Sequence, residues 1–538
     1  MSRMMFGMET EYAIHNQRRQ GSSVDRQSQV WQLIDAARLN LKYLSDFGPG
    51  MFLENGSRFY VDCGNHPELS TPECTDPWQI VGYILAGENM LLALGQETET
   101  LGNKVSFAKC NVDYTGAGTT WGCHESYLHR SAPDKISAEI IPHLVSRVIY
   151  TGAGGFNSLA AGLNFTLSPR VPHLEAVLSE HSTSARGIFH TKDESLSREG
   201  YHRLHLICGE SLCSQTAMWL KVATTALVVA MADAGVNPGR LVELRAPLTA
   251  LSGFAADPQC QAQALVTDRQ WMSAIAIQRV YLACAEQHLG ERFMPEWAGE
   301  ACRQWRMILD RLEGGPEAVN TTLDWAIKLT LYRDFAKRQG FTWEAVADWT
   351  RIHKRMHKII GSDPAFWRGA DLEKIMREAE PGRAQSLRLY LKQKGLQESN
   401  FSRFLRLRQQ LFEIDTRFGE LGASGIFAQL DRSGVLAHEI DGLADVKEFA
   451  TNPPAEGRAR VRGNVISRLP ASEEYQCDWQ GIWDRLNDRY LDLSDPFTTM
   501  EHWHSLKERP EAMRTLIPEA LRERMRYLQG TGYACSNP

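Results

Sequence analysis

Glu9 and Glu11 lie two residues apart in the run Met5-Phe6-Gly7-Met8-Glu9-Thr10-Glu11-Tyr12, and Arg58, Tyr60 and Asp62 repeat that spacing in Ser57-Arg58-Phe59-Tyr60-Val61-Asp62. A β-strand sends alternate side chains to opposite faces, so each run, as a strand, presents its polar residues together. Directly after the second run, Cys63-Gly64-Asn65-His66-Pro67 turns the chain into Glu68. If the two polar faces converge, three glutamates, Asp62 and Arg58 are crowded around one space. Hard carboxylate oxygens suit Mg²⁺, and a planar guanidinium suits phosphate, so the chemistry is that of an ATP-using site. The same alternation also describes the wet face of a half-buried sheet with cross-strand charge pairs. What favours a site is the combination of both runs with an acid placed behind a His-Pro turn.

The elements that must hold these residues follow from periodicity. Strands are predicted over 4–14 and 52–62, with a helix over 27–43 between them and a second helix over 77–94 that has Pro77 in its first turn. Further strand signals fall at 105–112, 163–167, 187–190 and 203–208. From Ser214 onward helices dominate, at 271–288, 299–312 and 320–337. Strands first and helices later is an α+β order, not the alternation of a doubly wound fold.

Composition narrows the function classes. The 538 residues, 43% of them hydrophobic, are enough for one large domain and a smaller one. A net charge of -6 argues against coating nucleic acid. Eleven cysteines without a C-x-x-C pair point to reduced thiols and a cytoplasmic location. The most apolar stretch, 216–236, contains Lys221 and Asp233, so it reads as a buried helix and no membrane partner is expected. Between 351 and 408 basic residues outnumber acidic ones, which describes either a solvated helical face or a docking surface for an acidic partner. Asn452-Pro453-Pro454 marks a boundary, dividing the chain into 1–450, with a basic helical insertion over 345–408, and a small C-terminal domain over 451–538.

Several strings resemble one family. Gly7-Met8-Glu9-Thr10-Glu11-Tyr12, Asn55-Gly56-Ser57-Arg58-Phe59-Tyr60-Val61-Asp62 and His66-Pro67-Glu68 are similar to signatures of the family of Pup ligases and depupylase/deamidases. So are Gly122-Cys123-His124-Glu125-Ser126-Tyr127-Leu128, Thr191-Lys192-Asp193-Glu194, Arg203-Leu204-His205, Leu323-Asp324-Trp325, Arg458-Ala459-Arg460-Val461-Arg462-Gly463 and Asp478-Trp479. They occur in order over most of the chain. The resemblance implies a glutamine-synthetase-like domain, a curved antiparallel sheet with flanking helices that cradles ATP and Mg²⁺, followed by a small C-terminal domain. It implies a carboxylate-amine ligase in which ATP phosphorylates the C-terminal glutamate of a Pup-like modifier and a lysine of a target protein displaces the phosphate. On the matching positions, it assigns Glu9, Tyr60 and Glu68 to magnesium, Arg58, Thr71 and Trp479 to the nucleotide, and Asp62 to catalysis as the base. Glu11 and His205 are further candidate ligands, with a plain core histidine as the alternative for His205. Cys123 beside His124 suggests a thiol nucleophile, but adjacent residues on a strand point apart, and the pair is read as structural.

Within the family, the short 14–51 connection with its helix, together with Gly122-Cys123-His124-Glu125 and the run around Asp495-Pro496-Phe497, resembles the ligases. Pro72-Glu73-Cys74-Thr75-Asp76-Pro77 resembles the depupylases. Lys192 in place of a usual Arg, Ser195-Leu196 in place of Pro-His, Gln215 at a commonly acidic position and the lack of basic residues around 418–425 depart from the pattern and point to a diverged Pup-like tail. Three readings follow: a Pup-type ligase, an isopeptidase or deamidase that keeps nucleotide as a bound cofactor, and a nucleotide-binding relative without turnover. Retention of Glu9, Arg58, Asp62 and Glu68 together weighs against the last.

Overall fold

The computed structural model describes residues 4–17, 26–62, 64–100, 104–181, 184–191, 196–197, 200–361 and 372–506. Among the described residues, thirteen strands share one sheet. In chain order they are β1 (Phe6–Glu11), β2 (Tyr43–Ser45), β3 (Met51–Leu53), β4 (Arg58–Val61), β5 (Pro67–Ser70), β6 (Cys123–His129), β7 (Ala176–Ser179), β8 (Gly187–His190), β9 (His202–Leu206), β10 (Tyr475–Cys477), β11 (Gly481–Asp484), β12 (Arg489–Asp492) and β13 (Trp503–Ser505). Their spatial order is β7-β8-β9-β6-β1-β5-β4-β3-β2-β10-β11-β12-β13. Neighbours run antiparallel except β7 with β8 and β2 with β10. The sheet is therefore mixed, where an antiparallel one was expected. A tight turn forces antiparallel pairing, but β10 reaches the edge at β2 from far along the chain, and no hairpin fixes its direction.

The stretch 52–62 is not one strand but two, β3 and β4, joined at Glu54-Asn55-Gly56-Ser57. Gly56 takes the left-handed φ of 83° that such a turn requires, and Asn55 Oδ1 accepts the Ser57 N–H at 3.0 Å.

One face of the sheet is the core. The helices α1 (Arg26–Asn40) and α2 (Pro77–Thr100) bring Leu33, Ile34, Leu91 and Leu94 against Met51, Phe59 and Leu69. Beneath β1, β6 and β9, α3 (Pro133–Ser146) and α4 (Gln215–Asp233) enclose Phe6, Met8, Tyr127 and Leu204 in a larger cluster. Ser214 caps α4 by accepting the Ala217 N–H at 3.2 Å. Although α4 is long and apolar enough to cross a membrane, every residue from Thr216 to Ala232 is buried inside the fold.

The basic stretch folds as α5 (Trp343–Ile360), α6 (Leu372–Glu378), α7 (Pro381–Gln393) and α8 (Glu398–Phe418) around a separate core that includes Met356, Leu387, Phe401, Phe404 and Leu411. On α5, Arg351, Lys354, Arg355 and Lys358 stand outward while His353 and Met356 are buried. After Pro454, α9 (Gly457–Arg468) packs Val461, Val465 and Ile466 on Leu44 and Phe52, together with Cys477, Ile482 and Leu491. Residues 475–505 thus extend the sheet begun by the N-terminal strands.

Candidate active site

With Phe6, Met8, Phe59, Leu69, Tyr127 and Leu204 committed to the core face, the period of two turns Glu9, Glu11, Arg58, Tyr60, Glu68, Ser70, His124, Ser126, Arg203 and His205 to the other. Strand register then aligns them. Glu9 lies opposite Ser70 on β5 and His124 on β6, Glu11 opposite Glu68, Glu68 opposite Tyr60, and His205 opposite Ser126. The two polar runs seen in the sequence flank β5, so Glu68 sits between them.

Three sets of ligand atoms come within 4.8 Å of one another: Glu9 with His124 and His205, Glu11 with Glu68 and His124, and Glu11 with Asp62 and His66. His124 Nδ1 is 3.2 Å from Glu9 Oε2, and His205 Nδ1 is 3.1 Å from Ser126 Oγ. Space for His124 beside Glu11 depends on Gly122, where a β-carbon would fall 2.5 Å from His124 Nε2 and 2.8 Å from Glu11 Oε1. His205 therefore faces the acids and is no ordinary core histidine.

Crowding sets the charges. Burial opposes ionisation of Glu9 and Glu11, but hydrogen bonds from His124 and His66, aided by other nearby cations, outweigh it: Glu9 is held well below the usual range and Glu11 is brought to about 2. Glu68 goes the other way. Burial, then the charges of Glu9 and Glu11, push it well above its ordinary value, so it keeps its proton. Tyr60 is likewise held protonated, by burial and then by Glu9 and Glu68, and donates to Glu68. Burial lowers His205 well below its ordinary value, helped by Arg203, and leaves a neutral imidazole.

Next to this cluster is an open cavity. Gly7, Glu9, Ser70, Thr71 and Arg203 line it from the N-terminal strands, and Arg458 and Trp479 close it from the C-terminal unit. Thr71 Oγ1 accepts the Met8 N–H at 3.1 Å and donates to Pro72 O at 3.0 Å, which ties the wall of the cavity to β1. Trp479 is placed by an edge contact with Phe52, centroids 5.0 Å apart, and by the Arg462 guanidinium 4.9 Å above its ring. Arg462 and Arg458 both bind the half-buried Glu73. Burial resists the charge of Glu73, but Arg462 and then Arg458 bring its pKa down to about 2.

Of the residues expected from the sequence, Glu9, Thr71 and Trp479 share this cavity, and Glu11, Glu68, Asp62 and His205 gather in the adjoining cluster. Arg58 is turned aside. Its Nε and Nη2 both reach Asp46 Oδ2, at 3.0 and 2.6 Å, and its guanidinium lies 4.0 Å from the centre of the Tyr60 ring. Cys123 points into the core, 3.2 Å from Lys221 Nζ, as neighbouring strand residues must. Lys192 and Ser195 lie outside the described residues. His66, His124, Arg203 and Arg458 join the site without having been singled out from the sequence; the Arg203-Leu204-His205 spacing carried the signal for one of them.

The sequence profile of the Pup-ligase protein family matches residues 4–359 and 381–483, leaving out a piece of the basic helical stretch. The chain is 33% identical over 521 residues to the Pup--protein ligase 1 of Rhodococcus erythropolis, covering 93% of this chain and 98% of that one. It is 35% identical to the Pup deamidase/depupylase of Mycolicibacterium smegmatis over 302 residues, 55% of this chain and 60% of that one. In fold it is similar to the ligase PafA in complex with the prokaryotic ubiquitin-like protein Pup, with a TM-score of 0.69 at 22% identity over 98% of this chain and 93% of that one. It is also similar to PafA in complex with ADP, with a TM-score of 0.63 at 22% identity over 96% of both chains. The profile spans both polar runs and the C-terminal tryptophan, and the ligases match along nearly their whole length where the depupylase matches in part, so the chain belongs to the Pup-ligase family and lies closer to its ligases.

Proposed function

We propose that this protein is an ATP-dependent ligase of glutamine-synthetase-like architecture that joins the C-terminal glutamate of a Pup-like modifier to lysines of target proteins in the cytoplasm. The observation that carries the reading is the cluster of acids on β1 and β5, in register with Tyr60 of β4, beside a cavity closed by Trp479. The near full-length likeness to Pup--protein ligases supports it. The acid cluster fits Mg²⁺ on its own terms, because Glu9, Glu11 and Glu68 face one another from neighbouring strands and the charges of Glu9 and Glu11 add to burial in keeping Glu68 protonated, a crowding of negative charge that a divalent cation would neutralise. Glu9, Glu11 and Glu68 would hold it, with His124 and His205 within reach and Tyr60 orienting Glu68. The metal supplies charge neutralisation for the phosphoryl group in transfer.

ATP is taken up in this open cavity, with Trp479 against the base, Thr71 on the wall and Arg203 and Arg458 as cations toward the phosphates. Arg58 joins them by exchanging Asp46 for phosphate. The modifier's terminal carboxylate attacks the γ-phosphorus, ADP leaves, and an acyl phosphate forms. Asp62 takes a proton from the lysine ammonium, the freed nitrogen electron pair bonds to the acyl carbon, the carbon–oxygen bond to phosphate breaks with its electron pair departing on phosphate, and the second proton lost by nitrogen leaves with the phosphate.

The test is incubation of the protein with ATP, Mg²⁺, Pup ending in glutamate and a lysine-bearing acceptor protein. Isopeptide conjugates with one ADP released per bond are expected. Cleavage of preformed conjugates without net ATP use would instead assign the depupylase activity, and neither outcome would leave a nucleotide-binding relative without turnover.

A further inference from the structure

We propose that His66 is the positioning residue of this site, clamping Asp62 to Glu11 so that the Asp62 carboxylate faces the incoming amine in one orientation, and that Gly64 is present because the clamp leaves no room for a side chain there. The inference rests on the reading of Asp62 as base.

The turn after β4 closes on itself. Asp62 N donates to His66 O at 3.0 Å, and Asn65, with a left-handed φ of 58°, donates its N–H to Asp62 O at 3.1 Å. The side chains close it a second time. The His66 N–H reaches Asp62 Oδ1 at 2.6 Å, and the ring Nδ1 lies 3.2 Å from Asp62 Oδ2. The same Nδ1 is 3.4 Å from Glu11 Oε2, so one ring nitrogen bridges two carboxylates, one from β1 and one from the turn after β4. Each Asp62 oxygen thus accepts one hydrogen bond and keeps a second electron pair for a proton. Opposite, His66 Nε2 is buried with no hydrogen-bond partner among the described residues, and the ring rests on Trp121 with centroids 5.4 Å apart. A buried polar atom left unpaired on one side is the cost of an orientation fixed from the other. At residue 64 a β-carbon would come 2.8 Å from His66 Cε1 and 3.0 Å from Asp62 Oδ2. Gly64 is itself solvent-exposed, so this space is reserved for the clamp and not for core packing.

The test compares His66→Leu, His66→Asn and Gly64→Ala with Asp62→Asn in the conjugation assay above, reading separately the first-turnover release of ADP, transfer to lysine, and transfer to hydroxylamine. Hydroxylamine is unprotonated at neutral pH and traps an acyl phosphate without needing a base. His66→Leu and Gly64→Ala are expected to slow lysine transfer by about 10- to 100-fold, with ADP release, ATP affinity and hydroxylamine trapping within about threefold of wild type in Gly64→Ala and reduced less than lysine transfer in His66→Leu, which also takes a partner from Glu11. His66→Asn, whose amide N–H can stand in for Nδ1–H, is expected to restore most of the rate. The clamp is overturned if Asp62→Asn blocks lysine transfer while His66→Leu and Gly64→Ala leave it within about twofold, or if the losses fall equally on all three readouts, as a merely structural role requires. Should Asp62→Asn itself transfer to lysine at the wild-type rate, the reading of Asp62 as base fails first and the clamp with it. If His66→Leu does not fold, Gly64→Ala, which leaves both partners chemically intact, decides alone.

Discussion

Glu68 is the acid that crowding penalises most, and its proton makes metal dependence visible without any turnover. An acid whose pKa is raised on folding contributes stability that is present below its unfolded value, near 4.5, and is lost as pH rises toward its folded value. Thermal melting of the metal-free protein should therefore show a midpoint that falls as pH rises above about 4.5, and Glu68→Gln should flatten that fall. The same substitution removes a ligand oxygen's charge, so calorimetric Mg²⁺ affinity in the presence of ATP should drop at least about tenfold. Undiminished affinity in Glu68→Gln would remove Glu68 from the metal set. Asp62 makes a different demand, because its amide analogue keeps the shape and loses the basic oxygen. Asp62→Asn should leave nucleotide affinity within about threefold and cut conjugation by orders of magnitude, a split that separates base from scaffold.

At the scale of elements, the Glu73 clamp shows how α9 builds the far wall of the nucleotide cavity. Arg462 is fully buried between Phe52 and Trp479, donates to Gly56 O at 3.1 Å and pairs with Glu73. Arg462→Met would leave Glu73 with one guanidinium instead of two and remove the cation stacked on Trp479; a cost of roughly 3–5 kcal/mol is expected from chemical unfolding, with weaker ATP binding. Because the pKa of Glu73 is lowered to about 2, the clamp's contribution is complete above about 4.5 and disappears as pH falls toward 2, so acid should release tryptophan fluorescence from the C-terminal unit within that window.

How far such elements are legible depends on what each strand buries. The alternation in β1 and β4 was readable because apolar Phe6, Met8 and Phe59 mark the core face. In β6 the core face carries Glu125, an acid bound by Arg147 at 2.8 and 2.6 Å beneath the sheet, so the polar and apolar faces of Cys123–His129 look alike and the strand bearing His124 is hidden. The β3–β4 hairpin was marked by Asn55-Gly56 but masked by apolar residues on both sides of it. Pairing of β2 with β10 involves a short strand and a remote partner, and no local pattern specifies it.

Over the whole molecule, the site is assembled from the two ends of the chain: Glu9, Thr71 and Arg203 on one side of the cavity, Arg458 and Trp479 on the other. Since β10–β13 continue the sheet through Ser45, the C-terminal unit is held by backbone hydrogen bonds at its edge and by ion pairs at Glu73. A ligand that bridges both sides binds the assembled state and not a state with the unit undocked, so saturation a hundredfold above Kd stabilises docking by about 2.7 kcal/mol. Hydrogen exchange should then show protection by Mg²⁺ and ATP appearing together in β1, β5 and β10–β11, with α5–α8, which enclose a core of their own, left unchanged. Trp479→Ala should abolish the protection at β10–β11 while leaving part of that at β1, because the acids would still hold the cation and phosphates. Protection confined to β1 and β5 in the wild type would mean that the nucleotide does not reach Trp479, and the C-terminal unit would then serve only to cover the sheet edge.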